Sequence, residues 1–264
     1  MKDNSQLSEL LKWRKNHAEF IQEFIFYEDR MSYEEIHKKI LIKQEHQIIV
    51  SNVKNPSNFH IQLFENIDSI NKLMDDLEKI YYGIGSDYYN MGEEYVQVGK
   101  ICVALFEKGE DWHRCRIIGV DMKHKMVQVE YIDYGGDAWM PINSLKFLLK
   151  DFSELPPQAI DACCSRVRPR PDHLWRKDII NYMLNRFVNK KLVAKVSGIR
   201  DRSVSLELFD KTLVESNGRP AGTMINLNQR FVVDGYADFY DEESDKKKTN
   251  TELKLLQIFK KFIQ

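Results

Sequence analysis

The chain is poor in cysteine and proline, and neither sign of charge dominates it. Its four cysteines are Cys102, Cys115, Cys163 and Cys164. None forms a C-x-x-C pair and no histidine stands at zinc-binding spacing from them, which excludes the common structural-zinc and thioredoxin-like patterns. Reduced, mostly buried thiols are expected. Lysine and arginine number 39 against 40 aspartates and glutamates, a balance that argues against a dedicated nucleic-acid binder, whose surface carries a basic excess. No apolar run approaches the roughly 18 residues of a membrane span. The opening stretch, MKDNSQLSELLKW, has the profile of neither a signal peptide nor a transit sequence, so a cytosolic location is the default expectation. A Gly-rich phosphate loop, a G-x-S-x-G elbow and an H-E-x-x-H helix are also missing. No catalytic residue, metal ion or cofactor is expected.

What is present is a real core and a changing period. Apolar residues make up 43% of the 264, enough for one large domain or two closely associated ones. Across residues 5–42, Leu7, Leu10, Leu11, Trp13, Phe20, Ile21, Phe24 and Ile25 fall mostly at helical spacing. Ser32 to Glu35 reads as a capping box opening a second helix with Ile36, Ile40 and Leu41 on its inner face. Two β-rich runs, 46–53 and 59–64, then flank Asn55-Pro56-Ser57-Asn58, a hairpin turn. Ile70, Leu73, Met74, Leu77, Ile80 and Tyr81 mark an amphipathic helix that fades into a glycine-bearing loop. Residues 98–150 hold four or five short strands broken at EKGED, MKHK and YGGD, which suggests a small bent antiparallel barrel. Sixty residues are few for an independent core, so the barrel should lean on a neighbour. AIDACCSRVRP reads as another strand. Asp172 is placed to cap a helix with Trp175, Ile179, Ile180, Met183, Leu184, Phe187 and Val188 on one face, and a hairpin about RDR follows. The outer pieces are each too small to stand alone, which implies one β-rich subdomain split by the barrel. A charged linker, DEESDKKKTN, precedes a final amphipathic helix carrying Leu255, Leu256, Phe259, Phe262 and Ile263.

The stretch VQVEYIDYGGDAW, residues 127–139, carries the chemistry. A strand ending at Asp133 and turning through Gly135 and Gly136 can swing Tyr134 back beside Tyr131. Phe106 and His113, on either side of EKGED, would complete a group of four rings at one end of the barrel. Ring faces attract a cation by roughly 0.5–2 kcal/mol per good contact. Composition alone leaves two readings of these rings, a cation-holding cage and the filling of a small core. Asp133 either meets a cationic ligand or holds the turn through backbone N–H groups or Arg114. Arg166, Arg168 and Arg170 alternate along what reads as one strand. They either face one side together as a phosphate-binding row, the basis of a weaker RNA-contact reading, or protect a solvated strand edge.

Residues 98–148 resemble the Tudor core of the germline extended-Tudor family. That family's pattern runs G-x-x-C-x-A-x-F/Y, then W-Y-R-A, then V-x-F/Y-I-D-Y-G-N, then residues leading into L-P. This chain supplies Gly99, Cys102, Ala104 and Phe106, then Trp112, His113, Arg114 and Cys115, then Tyr131, Ile132, Asp133, Tyr134, Gly135 and Gly136. The resemblance implies a mainly β fold with helices, in which a five-stranded Tudor-like barrel is inserted into a split staphylococcal-nuclease-like (OB-type) β-barrel subdomain. It covers roughly residues 44–240. The implied order is a helical extension at 1–43, the first part of the split subdomain and a linker helix at 44–97, and the Tudor core at 98–155. The second part of the subdomain follows at 156–240, then the polar linker and amphipathic helix at 241–264.

The same resemblance implies a non-catalytic reader of symmetrically dimethylated arginine in Arg-Gly or Arg-Ala repeats. The implied partners are the tails of PIWI-class Argonautes or other germ granule proteins, in piRNA silencing at cytoplasmic, perinuclear germ granules. Its cage maps onto Phe106, His113, Tyr131, Tyr134 and Gly136, with Asp133 and Arg114 in support. Two positions depart: His113 stands where the family has Tyr, and Gly136 where it has an Asn that bonds the guanidinium. A histidine titrates near neutral pH and a glycine offers no side-chain bond, so both changes weaken the implied cage. The other readings are an unmethylated arginine ligand, or a scaffold with a degenerate cage acting through residues 5–42 or 250–263.

Overall fold

The computed structural model describes residues 31–32, 34–83, 86–106, 111–170, 174–211 and 224–241. The N-terminal helical pattern before Met31, the Asp172 cap and the C-terminal amphipathic segment lie outside the described residues. A four-residue helix, Glu34–His37, follows Ser32, whose Oγ accepts from Glu34 N at 3.1 Å. Ile36, on the helix, is buried as expected; Ile40 and Leu41 both lie beyond its end, so they do not share its inner face, and Ile40 is buried while Leu41 is 53% exposed.

The hairpin of β1 (Glu45–Asn55) and β2 (Asn58–Leu63) turns at Pro56-Ser57, where Ser57 N donates to Asn55 Oδ1 at 2.8 Å. The helix Ile67–Tyr81 comes next, then β3 (Ile101–Phe106), β4 (Asp111–Asp121), β5 (Met126–Tyr131), β6 (Asp137–Pro141) and β7 (Lys146–Phe147). Beyond them run β8 (Ile160–Cys164), β9 (Val167–Arg168), the helix Lys177–Arg186, β10 (Lys191–Arg200) and β11 (Ser203–Asp210). β12 (Ile225–Asn226), the helix Leu227–Val233 and β13 (Asp238–Phe239) complete the order.

The described chain forms two units. One holds residues 60–161 and the described residues up to Leu41; the other holds residues 42–59 and those from Ala162 onward. The first contains an antiparallel five-stranded sheet in the order β6-β5-β4-β3-β7. Both faces of β3 are covered, which is why its sequence, ICVALF, is continuously apolar rather than alternating. Cys102 and Ala104 join Cys115, Ile117, Val127, Val129, Tyr131 and Phe147 inside the barrel. Ile101 and Val103 face the other way, onto Leu73, Leu77 and Tyr81 of the Ile67–Tyr81 helix, together with Trp112, Ile132 and Leu148. The barrel thus finds its neighbour in that helix. Tyr81 fastens it at one edge, its hydroxyl donating to Phe147 O at 2.7 Å and accepting from Leu149 N at 3.2 Å. The β4–β5 register shifts between Ile117 and Gly119, and such a bulge sharpens the bend that curls the sheet.

The second unit contains the sheet ordered β10-β1-β2-β8-β11-β12, to which β2 and β8 bring Asn58–Phe59 and Ala162–Cys164. β10 also pairs with β11, closing the order on itself in the manner of an OB-type barrel. Ile179 and Met183 of the following helix are buried, as is Phe187 just past its end, which stacks on Phe231 at 5.8 Å, while Leu184 is 44% exposed.

One strand assignment is corrected. AIDACCSRVRP does not run as one strand. β8 stops at Cys164, and Arg166 takes a left-handed backbone, φ +58°, before β9 resumes against β13. The turn is held on both sides: Ser165 N donates to Leu206 O at 2.8 Å, and Tyr240 N to Arg166 O at 2.9 Å.

Candidate functional site

Register explains how the rings meet. Residues directly opposite on paired strands share a face, and so do residues two apart on one strand. Ala104 on β3 lies opposite His113 on β4, which places Phe106 on the His113 face. Cys115 on β4 lies opposite Tyr131 on β5, which adds Tyr131 to the same face. Ala104 and Cys115 are the small residues between these rings and leave them room. Ring centroids stand 5.0 Å apart for Phe106 and His113, 4.8 Å for Phe106 and Tyr131, and 5.8 Å for His113 and Tyr131. The last two pairs meet edge to face.

Tyr134 reaches this group through the turn. Gly135 N donates to Tyr131 O at 2.8 Å, and Tyr131 N donates to Gly136 O at 3.0 Å. Both glycines take positive φ, +79° and +85°, a region costly for residues bearing a Cβ. The turn brings the Tyr134 ring to 4.8 Å from His113. The structure therefore gathers Phe106, His113, Tyr131 and Tyr134 as expected, with His113 in contact with the other three. His113 and Tyr131 are buried; Phe106 and Tyr134 are half-buried. Tyr131 is anchored, its hydroxyl donating to Leu105 O at 3.1 Å.

Asp133 holds the turn rather than facing the rings. Its carboxylate takes Arg114 in a two-pronged pair, Nε to Oδ2 at 2.8 Å and Nη2 to Oδ1 at 2.5 Å, with the side chains 1% and 0% exposed. Arg114 spends its remaining donors on the carbonyls of Phe152, Leu155 and Pro156 at 2.7, 2.6 and 3.3 Å. Gln62 Nε2 donates to Asp133 O at 2.6 Å, and the imidazole of His60 lies against Gly135, where an added Cβ would stand 2.0 Å from Cγ. His60 is itself held by Asp161 at 3.0 Å. Sequence reading missed His60, Gln62 and Gln158, whose N donates to Asp133 Oδ1 at 3.3 Å, as supports of the site.

Burial pushes the His113 pKa down to about 4, against partial opposition from Asp133 and Asp111. The ring is therefore neutral at physiological pH and does not repel a cation, which removes one of the two weaknesses expected from the sequence. Burial, then Asp133 and Asp111, raise the Tyr134 phenol to about 12, so it too stays uncharged. Asp111, exposed and opposite Phe106 in register, places negative charge beside the rings. Its hydrogen bond raises the Glu78 pKa, so two carboxyl groups stand together there. Uncharged rings with an acidic neighbour suit a cation and disfavour an anion.

The three arginines are not one row. Arg166 sits in the turn, Arg168 lies over the Tyr240 ring at 5.8 Å, and Arg170 meets Asp238 at 3.5 Å. The strand break sets Arg166 apart from the other two. All four cysteines are free, three of them buried. Among the described residues no group of His, Cys, Asp and Glu is arranged to hold a metal ion, and no helix is long and apolar enough to cross a membrane.

A bent five-stranded barrel with aromatic rings gathered at one end, whose chain enters and leaves through a second β-rich unit, is the architecture of the extended Tudor domains. Residues 40–166 match the Tudor domain family model, and that part of the chain is a Tudor domain. It is 28% identical to mouse RING finger protein 17 over 196 residues, 74% of this chain and 11% of that protein. The chain spans about a tenth of the length of the curated relatives it matches first. The human TDRD1 extended Tudor domain, in complex with a symmetrically dimethylated peptide, superposes with a TM-score of 0.63 at 23% identity, over 76% of this chain and 92% of that one. A mutant Papi extended Tudor domain from Drosophila melanogaster, in complex with an unmethylated Piwi N-terminal peptide, gives a TM-score of 0.66 at 19% identity, over 74% and 99%.

Three outcomes follow from this geometry. Asp133→Asn leaves a buried guanidinium poorly compensated and should cost about 3–5 kcal/mol in urea unfolding, whereas replacing both partners, Arg114→Met with Asp133→Leu, should cost clearly less than the sum of the single changes. Gly135→Ala should cost about 3 kcal/mol, from backbone strain and the clash with His60, read as a lowered urea midpoint. For His113, the unfolded chain binds the extra proton between about pH 4 and 6.5, so stability rises with pH across that window. The contribution, about 3 kcal/mol, is complete above pH 6.5 and is lost as pH falls toward 4. Urea midpoints of wild type and His113→Phe across this range should diverge accordingly; parallel curves refute the assignment.

Proposed function

We propose that the chain is a non-catalytic reader of arginine-containing peptides. Phe106, His113, Tyr131, Tyr134 and Gly136 form its ligand site, and Arg114 with Asp133 supports the turn that presents Tyr134. The observation that carries this reading is the convergence of four uncharged rings from two hairpins, with His113 no more than 5.8 Å from each of the others. A guanidinium is flat and weakly hydrated for its charge, and ring faces with a carboxylate nearby suit it. The peptides held by the TDRD1 and Papi domains support arginine as the residue read, with symmetric dimethylation as one form of it. The partner class is the Arg-Gly tail of a PIWI-class Argonaute or another germ granule protein. The corresponding setting is small-RNA silencing in cytoplasmic, perinuclear germ granules.

The test is calorimetric titration of the whole chain with one Arg-Gly peptide in unmethylated, symmetrically dimethylated and asymmetrically dimethylated forms. Wild type should bind at least one form. Tyr134→Ala, which removes a half-buried ring without touching the Arg114–Asp133 pair, should weaken that binding by about 0.5–2 kcal/mol, roughly 2- to 30-fold in Kd. Flat heats with all three peptides overturn the reading.

A further inference from the structure

Gly136 leaves the ring site without the side-chain acceptor that an asparagine would supply there. Most other acceptors traced around the site have partners; His60 Nδ1 is buried without one, but that ring lies against Gly135 and not in the ring cluster. The Gly136 carbonyl receives Tyr131 N, the Leu105 carbonyl receives the Tyr131 hydroxyl, and the Asp133 carboxylate receives Arg114 and Gln158 N. His113 differs. It is 5% exposed, its imidazole contacts three rings, and its Nδ1 is buried with no hydrogen-bond partner. A buried polar atom left unpaired is costly, and in a ligand site the bare nitrogen of a neutral imidazole can take a donor.

We infer that the imidazole of His113 accepts the hydrogen bond from the bound guanidinium, so that this site selects arginine by the N–H groups it retains. This rests on the arginine-reading function proposed above. A guanidinium only donates, and a neutral imidazole always has one bare nitrogen, so the two match. The lowered pKa supports this by keeping that nitrogen bare at physiological pH. The entering group parts the half-buried Phe106 and Tyr134 rings, while Tyr131 stays tied through its hydroxyl. Unmethylated and symmetrically dimethylated arginine both keep an N–H on each terminal nitrogen. Asymmetric dimethylation strips one of those nitrogens of both hydrogens, and that form fits worst. The shorter imidazole, in place of a phenol, also leaves the site tolerant of an arginine without methyl groups.

The experiment compares wild type with His113→Phe, which keeps a ring wall and removes the acceptor, using the same three Arg-Gly peptides. Wild type should bind the unmethylated and symmetric forms within a few-fold of each other and the asymmetric form about tenfold more weakly. His113→Phe should lose about tenfold for the first two and with it the discrimination. In wild type labelled with ¹⁵N-histidine, an imidazole nitrogen resonance should shift on saturation with the unmethylated peptide. That readout stands even if the substitution impairs folding. Equal binding by His113→Phe, or an unmoved imidazole resonance in wild type saturated with peptide, overturns the inference while leaving the arginine reader intact. Wild type that binds none of the peptides removes the proposed function and this inference together.

Discussion

The pair of Arg114 and Asp133 is the constraint on which the ring site depends. A buried ion pair is weak evidence for stability in itself, because desolvation offsets most of its attraction. Its value here is geometric. Arg114 leaves β4 on the face opposite His113, so the strand that presents one ring also carries the cation that fixes the turn presenting another. The two-pronged contact fixes Asp133, and Asp133 fixes the start of the turn. Three further carbonyls, of Phe152, Leu155 and Pro156, take up the donors that remain, so no part of the guanidinium is left to destabilise the interior. Position 133 therefore specifies a conformation more than it adds to the stability of the fold.

Much of this was legible in the sequence, for reasons that differ by element. The barrel strands stood out because turn chemistry punctuates them at EKGED, MKHK and YGGD, and the hairpin at Pro56-Ser57 for the same reason. The four rings followed from spacing together with family resemblance; spacing alone also allowed a core filled with aromatics. The register behind their convergence was not visible in the sequence, since pairing Ala104 with His113 and Cys115 with Tyr131 is a long-range fact. The break at Arg166 escaped for a related reason. An arginine in left-handed backbone has no local signature, and the turn is held by Leu206 and Tyr240, both far along the chain. His60 and Gln62 escaped because they act on residues about seventy positions away.

Histidine in place of tyrosine looks like a loss when read from the side chain's solution chemistry. Burial reverses that judgement. At neutral pH a solvated imidazole is partly charged and would oppose a cation, but the ring packed among Phe106, Tyr131 and Tyr134 is held neutral. The local carboxylates pull the other way and do not prevail, since desolvation is the larger effect.

The two sides of the ring cluster also differ in freedom, and that difference bears on how a ligand enters. Tyr131 lies on β5 between two paired strands and is bonded through its hydroxyl, while Gly135 below it is locked by His60. Phe106 ends its strand, Tyr134 sits in the turn, and both remain half-exposed. The proposed ligand site thus has one wall bonded into the sheet and two rings at its half-buried edge. Such a division is what a buried ring cluster needs if it is to exchange its internal edge-to-face contacts for contacts with a guanidinium.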